Sequence, residues 1–154
     1  MPQFQKSISE FIGGATTTPV KPTDTVLSAM KVLATHADAY DCVLVVDGSA
    51  LVGVFTERDF LNRVCARKLD PAKTSMEDVM TGNPFTLSST DCITYAINQM
   101  AVGGFRNIPI VDDSDNPVAV LTARHVMKHM DQAFAAVSEA TGPEWDEWHD
   151  IGGG

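Results

Sequence analysis

The chain contains an internal repeat, because one pattern of apolar residues occurs twice along its 154 residues. Residues 19–33 align with residues 86–100, and in both segments apolar side chains recur at the spacing of one helix face. Farther along, the strand-like segments 43–47 and 108–112 correspond, and each is followed by a turn and a second strand-like segment. A repeat of this kind indicates two copies of one structural unit.

Each copy is predicted to fold as a short helix, a strand, a long helix, two strands and a second long helix. One copy alone leaves a sheet face uncovered, whereas two copies related by a pseudo-twofold axis can pack sheet against sheet. The predicted fold class is therefore α+β, with two β-α-β-β-α repeats packed sheet to sheet. We place repeat 1 at residues 7–68, a linker at 69–74, repeat 2 at 75–131, and a helix end with an acidic, tryptophan-containing tail at 132–154.

The composition restricts the classes of partner. The chain has 11 Lys and Arg against 20 Asp and Glu, a net charge of −9, and lacks the clustered cations that a nucleic-acid surface requires. No apolar run is long enough to span a membrane, and no secretion signal is recognisable near Lys6. We therefore expect a cytoplasmic protein that binds neither nucleic acid nor membrane. The 3 cysteines are widely spaced, so we expect reduced thiols.

The order of the segments DVMTGNPFTLSSTDCITYAINQM, GGFRNIPIVDD and VAVLTARHV resembles the cystathionine β-synthase (CBS) domain. The tandem resembles a CBS pair, or Bateman module, over roughly residues 7–130. The resemblance implies a regulatory module without a catalytic cofactor that binds AMP, ADP, ATP or a related compound such as S-adenosylmethionine between its repeats. It also implies a homodimer, in the form of a four-repeat disc, and a regulated partner protein.

The segment GVFTERD (53–59) provides the strongest prediction of a site. Gly53 would let a ligand approach the backbone closely, and Thr56 stands where a strand enters a helix, so its hydroxyl can contact a phosphate. The Asp59 carboxylate, one turn on, can accept hydrogen bonds from both hydroxyls of a ribose. In the resembling family, Gly-x-x-Thr-x-x-Asp is the ribose-binding signature. The alternative is that Thr56 only caps the helix and Asp59 is a first-turn acid.

The second copy departs from this pattern. AVLTARH (119–125) has Ala119 in place of Gly53 and His125 in place of Asp59. A neutral imidazole has one acceptor nitrogen, so it cannot accept two ribose hydroxyl bonds as a carboxylate does. We therefore expect one occupied cleft per chain. The other cleft is empty, or takes a different anion if His125 is protonated.

Three further segments are predicted to complete the cleft. The Arg106 guanidinium suits phosphate, and Ile108 and Pro109 would wall the base by apolar contact. The resemblance implies that the strand at 16–20 faces adenine. The alternatives are a solvent-facing arginine and a plain edge strand. The predicted ligand-binding residues are Thr16, Thr17, Thr18, Val20, Gly53, Thr56, Arg58, Asp59, Arg106, Asn107, Ile108 and Pro109.

Several other signals are weaker. His125 and His129 have the spacing of zinc ligands on a helix, but no third ligand is evident, so no metal site is predicted. No nucleophile motif or phosphate-binding loop is present, so we do not predict an enzyme. The alternative function is a structural module that binds no ligand and works by dimerising or by gripping a partner. Trp145 and Trp148 would lie on one helix face that docks on a partner, or else belong to a disordered tail.

Overall fold

The computed structural model of the protein describes residues 6–12, 18–35 and 41–130. In the first half, the elements are α1 (Ser9–Ile12), α2 (Val26–Thr35), β1 (Cys42–Asp47), β2 (Ala50–Thr56) and α3 (Glu57–Asp59), which continues as a π-helical stretch over Phe60–Cys65. In the second half they are a 3₁₀ turn (Met76–Asp78), β3 (Thr81–Gly82), β4 (Leu87–Ser88), α4 (Ile93–Gly103), β5 (Asn107–Val111) and β6 (Pro117–Thr122). Residues 123–130 then form α5.

The strands form two three-stranded sheets, one in the order β1-β2-β3 and the other in the order β4-β5-β6. In each sheet a central antiparallel hairpin carries a register shift near its turn, between Val45 and Val46 in one copy and between Ile110 and Val111 in the other. Val20 pairs in parallel with Val45, as β4 pairs with β5. These matching features support the predicted pseudo-twofold relation between the copies.

The two sheets contact each other through buried apolar side chains. Cys42 and Leu44 of β1 pack with Val120 of β6, and all three are at most 3% exposed. Burial raises the pKa of the Cys42 thiol to about 12, and the neighbouring Asp41 carboxylate adds to the shift. The α+β fold with sheet-to-sheet packing is thus confirmed.

The short segments that precede each copy pack on the opposite copy. Ile8 and Phe11, around α1, lie in the core of the second sheet together with Ile93 of α4. Met76 and Val79, from the segment before β3, lie in the core of the first sheet. The predicted boundaries at 7–68 and 75–131 therefore describe the sequence repeat, whereas each packed unit exchanges its leading segment with the other.

Some predictions concern residues outside the described part of the chain. The C-terminal tail with Trp145 and Trp148 lies there, as do Thr16 and Thr17 of the strand that was predicted to face adenine. Within the described residues, the cysteines are free thiols, and no helix is long and apolar enough to cross a membrane.

Candidate functional site

A cleft of about 220 Å³ lies between the two copies, where the end of β2 and the start of α3 face the start of β5. The prediction from sequence supplies six of the residues that line this cleft. They are Thr56, Arg58, Asp59, Arg106, Asn107 and Pro109. The structure therefore brings together the helix entrance of one repeat and the strand entrance of the other, as a shared site requires.

Asp59 and Thr56 form a reciprocal capping box at the start of α3. The Thr56 backbone N–H and hydroxyl both donate to Asp59 Oδ2, at 3.0 and 2.9 Å, and the Asp59 N–H donates to the Thr56 hydroxyl oxygen at 3.2 Å. Thr56 therefore caps the helix, as the alternative interpretation of the sequence stated. The capping bonds use Oδ2 and leave the Oδ1 atom of Asp59 to other donors.

Arg63 orients the same carboxylate from the next turn. Its Nε lies 3.4 Å from Asp59 Oδ1, and its Nη1 donates to the carbonyl oxygens of Val79 and Met80 at 3.0 and 2.8 Å. The guanidinium therefore joins α3 to the segment before β3. Sequence reasoning missed this residue, although its i,i+4 spacing from Asp59 is a recognisable ion-pair signal.

Two guanidinium groups in the cleft have no partner of their own. Arg58 and Arg106 are exposed, and neither forms an ion pair or side-chain hydrogen bond with the described residues. Guanidinium groups bind phosphate through paired N–H donors. Both charges are therefore available to an anion inside a chain whose net charge is −9.

The side of the cleft that faces the second copy is apolar, and the sequence prediction missed most of it. Phe85 and Phe105 stack with ring centroids 5.6 Å apart and an interplanar angle of 4°. The other lining residues that the sequence prediction missed are Val54, Thr81, Pro84 and Gly104. The signal was present in the repeat itself, since the segment around Phe85 precedes β4 as residues 16–18 precede Val20.

Several predicted residues lie elsewhere. Val20 and Thr18 are absent from this lining, and Val20 pairs with Val45 in the first sheet. Val20 packs in the core of the first sheet, whereas Phe85, which precedes the corresponding strand of the second copy, lines the cleft. Ile108 was expected to wall the base, but it is 1% exposed and packs in the core of the second sheet. Side chains alternate along a strand, so Pro109 faces the cleft and Ile108 cannot.

Gly53 also has a role different from the predicted one. It does not line the cleft, and it pairs with Gly82 of β3. A Cβ atom at Gly53 would overlap the Met80 side chain and lie 3.2 Å from the Thr81 carbonyl oxygen. The close approach that this glycine permits is between two strands, and not between a strand and a ligand.

Asn107 carries an unsatisfied acceptor at the edge of the cleft. Its Oδ1 atom is buried and accepts no hydrogen bond from any described residue. A buried acceptor without a partner costs roughly 1–3 kcal/mol, so a donor from a ligand would stabilise it.

A second cleft of about 550 Å³ adjoins the first on the other side of Arg106. It is lined by Asp41, Arg106, Thr122, Ala123, Arg124, Met127 and Lys128. His125, the counterpart of Asp59 in the second repeat, is not among these lining residues. Burial lowers its pKa, with the charges of His129, Lys128 and Arg124 adding to the shift. The lowered pKa favours the neutral form of the His125 ring. Among the described residues no group of acidic, histidine or cysteine side chains could hold a metal ion.

Comparison with known proteins identifies relatives over most of the chain. CBSCBSPB1, a CBS domain-containing protein of Arabidopsis thaliana, is 35% identical over 142 residues, which are 92% of this chain and 26% of that protein. The meiotically up-regulated gene 70 protein of Schizosaccharomyces pombe is 31% identical over 132 residues, 86% of this chain and 17% of that protein. The chain thus spans about a quarter or less of the length of these relatives.

Solved structures share the fold. The CBS domain pair of protein MJ0100, in complex with 5′-methylthioadenosine and S-adenosyl-L-methionine, matches with a TM-score of 0.69 at 20% identity, covering 81% of this chain and 99% of that one. CBSX2 in complex with AMP matches with a TM-score of 0.69 at 21% identity, covering 82% and 97%. The model of the CBS domain family matches residues 16–66 and 76–132. The chain therefore belongs to the CBS domain family, as a tandem pair of CBS repeats.

Proposed function

We propose that the chain is a regulatory module that binds one adenosine nucleotide, or a related adenosyl compound, in the first cleft. One observation carries this proposal. A single cleft combines an oriented carboxylate, Asp59, with the unpaired guanidinium groups of Arg58 and Arg106 and the stacked rings of Phe85 and Phe105. A ribose, a phosphate and a base need these three kinds of group.

Asp59 would bind the ribose. An ionised carboxylate accepts about four hydrogen bonds. The Thr56 N–H and hydroxyl occupy the two sites of Oδ2. Arg63 Nε lies 3.4 Å from Oδ1 as an ion pair without a hydrogen bond, so the two sites of Oδ1 remain for ribose hydroxyls. The carboxylate is already fixed in the free protein, so binding loses less conformational entropy in ordering it. Capping and ribose binding are therefore compatible roles of one side chain.

Arg58 and Arg106 would bind the phosphate, and the apolar side of the cleft would bind the base. Base-to-aromatic stacking contributes roughly 1–3 kcal/mol in nucleic-acid complexes. Phe105 is 39% exposed, so a ring face or edge is accessible to a planar base. The buried Oδ1 of Asn107 would accept a hydrogen bond from a hydroxyl or amino group of the ligand. The adenosyl ligands of the MJ0100 and CBSX2 complexes support this class of compound.

Calorimetric titration of the chain with AMP, ADP, ATP and S-adenosylmethionine tests the proposal. We expect one site per chain, which Asp59→Ala removes. Glu57→Ala is the matched control, because Glu57 is an exposed acid in the same helical turn that does not line the cleft. Absence of binding by every adenosine compound would contradict the proposed function.

The second candidate function is a structural module that binds no ligand and acts by dimerising or by holding a partner. The replacement of the Asp59 carboxylate by the His125 imidazole at the matching position of the second repeat favours it. Thermal-shift measurements separate the two functions, because a ligand at 100 times its dissociation constant adds about 2.7 kcal/mol of stability. Unchanged melting temperatures across all adenosine compounds would favour the structural module.

We also propose that the chain forms a cytoplasmic homodimer that signals to a regulated partner. The exposed apolar residues Leu27 on α2 and Tyr95 and Val102 on α4, at 42%, 49% and 81% exposure, support a helix-mediated contact. A ligand would alter such an assembly only through different affinities for its two arrangements. Sedimentation velocity with and without ligand measures the assembly.

A further inference from the structure

The two clefts are connected through one residue. Arg106, proposed above to bind the phosphate in the first cleft, lines both of them. The backbone fixes this position, because the Ala123 N–H donates to the Arg106 carbonyl oxygen at 2.8 Å. The start of β5 is thereby tied to the first turn of α5, which forms the wall of the second cleft.

The second cleft is also lined by cations from α5. Arg124 and Lys128 lie four residues apart on α5 and therefore on one face of the helix. Among the described residues that line this cleft, Arg106 and Lys128 are cations that stand beside one carboxylate, Asp41, and Arg124 has a further interaction of its own. A cluster of positive charge in a chain of net charge −9 favours an anionic occupant.

This occupant is not a second nucleoside. The position of Asp59 in the first repeat is taken by His125 in the second. His125 does not line the second cleft, and its Nδ1 already accepts the Thr122 N–H at 3.3 Å. The second cleft therefore has cations for phosphates but no carboxylate at the position where a ribose would bind.

We propose that the second cleft is a polyphosphate extension of the first. Resting on the function proposed above, this inference places the phosphate next to the ribose at Arg106 and the following phosphates near Lys128. The chain then selects a nucleoside triphosphate over a monophosphate. A lysine ammonium interacts with phosphate as a point charge, so each added phosphate gains attraction without a fixed geometry.

Calorimetry with AMP, ADP and ATP, at low ionic strength and with chelator to exclude divalent cations, tests this inference. We expect affinity to increase at each step, with ATP binding at least about tenfold more tightly than AMP, which corresponds to about 1.4 kcal/mol. Lys128→Ala should weaken ATP binding several-fold and leave AMP binding unchanged. Lys31→Ala on α2, which removes the same charge far from both clefts, should leave all three affinities unchanged. Lys128→Gln, a second variant that removes the charge of this exposed side chain, should give the same result as Lys128→Ala.

The outcomes separate this inference from the proposed function. Equal affinities for AMP and ATP would overturn the polyphosphate extension and leave the nucleotide site standing. An equal loss of AMP and ATP affinity in Lys128→Ala would overturn it too, as would two AMP molecules bound per chain. Failure of every nucleotide to bind would instead contradict the proposed function.

Discussion

The backbone N–H of Thr122 donates to Nδ1 of His125 at 3.3 Å, and the N–H of His125 donates to the Thr122 hydroxyl oxygen at 3.1 Å. This pair reproduces, with an imidazole, the capping box that Thr56 and Asp59 form in the first repeat. Nδ1 can accept only while it carries no proton, so the helix cap requires a neutral ring. The capping function is kept in both repeats, whereas the carboxylate is kept in one.

The free energy of unfolding should decrease as the pH falls from about 7.5 to about 5.5. Burial, the first cause, lowers the pKa of His125 in the folded state. The stability that the neutral ring contributes is therefore fully present above the unfolded pKa, near 6.5. It is lost as the pH falls through that value towards the lower folded pKa. Urea denaturation at the two pH values measures the difference.

His125→Asp identifies the residue responsible. A carboxylate at this position can accept the same N–H bond and stays ionised over the tested range, so the variant should lose most of the pH dependence. His129→Gln is the matched control, because it removes a histidine from the same helix while leaving the cap intact. His129 instead contacts the Phe11 ring, with centroids 4.4 Å apart. The same pH dependence in His125→Asp as in the unmodified chain would exclude His125 as its source.

Gly53→Ala should destabilise the fold by roughly 1–3 kcal/mol, the usual effect of overpacking. The new methyl group would overlap Met80, whose Cγ lies 2.9 Å from the Cβ position, and would crowd the Thr81 carbonyl oxygen. The side chain can move, but the carbonyl belongs to the β2–β3 pair. Thermal or urea unfolding measures the loss.

Gly82→Ala is the control for Gly53→Ala. Gly82 faces Gly53 across the two strands, and a Cβ atom there would meet nothing closer than the Val52 carbonyl oxygen at 4.0 Å. We expect a change within about 0.5 kcal/mol, typical of surface substitutions. Equal destabilisation by the two substitutions would show that loss of glycine as such, and not contact with Met80, is the cause.

The sequence predicted the architecture because periodicity and repetition report directly on which faces are buried. The apolar positions shared by α2 and α4, such as Val26 and Ile93, are indeed buried. The six predicted residues that line the cleft come from two local motifs at strand ends, where the chain direction fixes the position of the side chains.

The remaining differences arise from packing between segments distant in sequence. No local pattern shows that Ile8 packs on the second copy or that Phe85 lines the cleft that contains Asp59. Gly53 was interpreted as a ligand contact, because a glycine in a strand indicates some close approach without naming the neighbour. Val20 pairs within the first sheet and Phe85 precedes the matching strand of the second, and only their tertiary packing places Phe85 and not Val20 at the cleft.

Arg63→Ala should lower both the stability and the affinity for adenosine compounds. The substitution leaves the carbonyl oxygens of Val79 and Met80 without their donor, which costs roughly 1–3 kcal/mol, and releases Oδ1 of Asp59. Arg63 is a positioning residue, so the affinity loss should exceed what the melting temperature explains at a temperature where the variant is fully folded. Calorimetry with AMP well below the melting temperature measures it.

Arg63→Lys should restore part of the stability, because one ammonium group can reach a carbonyl oxygen but cannot span both carbonyls and the carboxylate. Arg67→Ala, at an exposed position one turn later, is the control and should change neither quantity. Unchanged AMP affinity in folded Arg63→Ala would limit Arg63 to a role in joining α3 to the β3 segment.

Gly103→Ala should disturb the stacked pair of Phe85 and Phe105 without unfolding the chain. Gly103 is the last residue of α4, and a Cβ atom there would overlap the Phe105 ring. Alanine favours the helix by about 1 kcal/mol relative to glycine, so the chain should stay folded while Phe105 is displaced from its stack on Phe85. We expect the affinity for AMP to fall by about tenfold, or about 1.4 kcal/mol, within the range of base stacking on an aromatic ring.

Ribose 5-phosphate shows whether the loss belongs to the base. It has no base, so its affinity should be the same in Gly103→Ala, in Phe105→Ala and in the unmodified chain. Tyr95→Ala, which removes an exposed aromatic from α4 outside the cleft, should leave AMP binding unchanged. If Phe105→Ala binds AMP as tightly as the unmodified chain, the stacked pair only closes the apolar side of the cleft, and the base must bind against Pro84 and Pro109 instead.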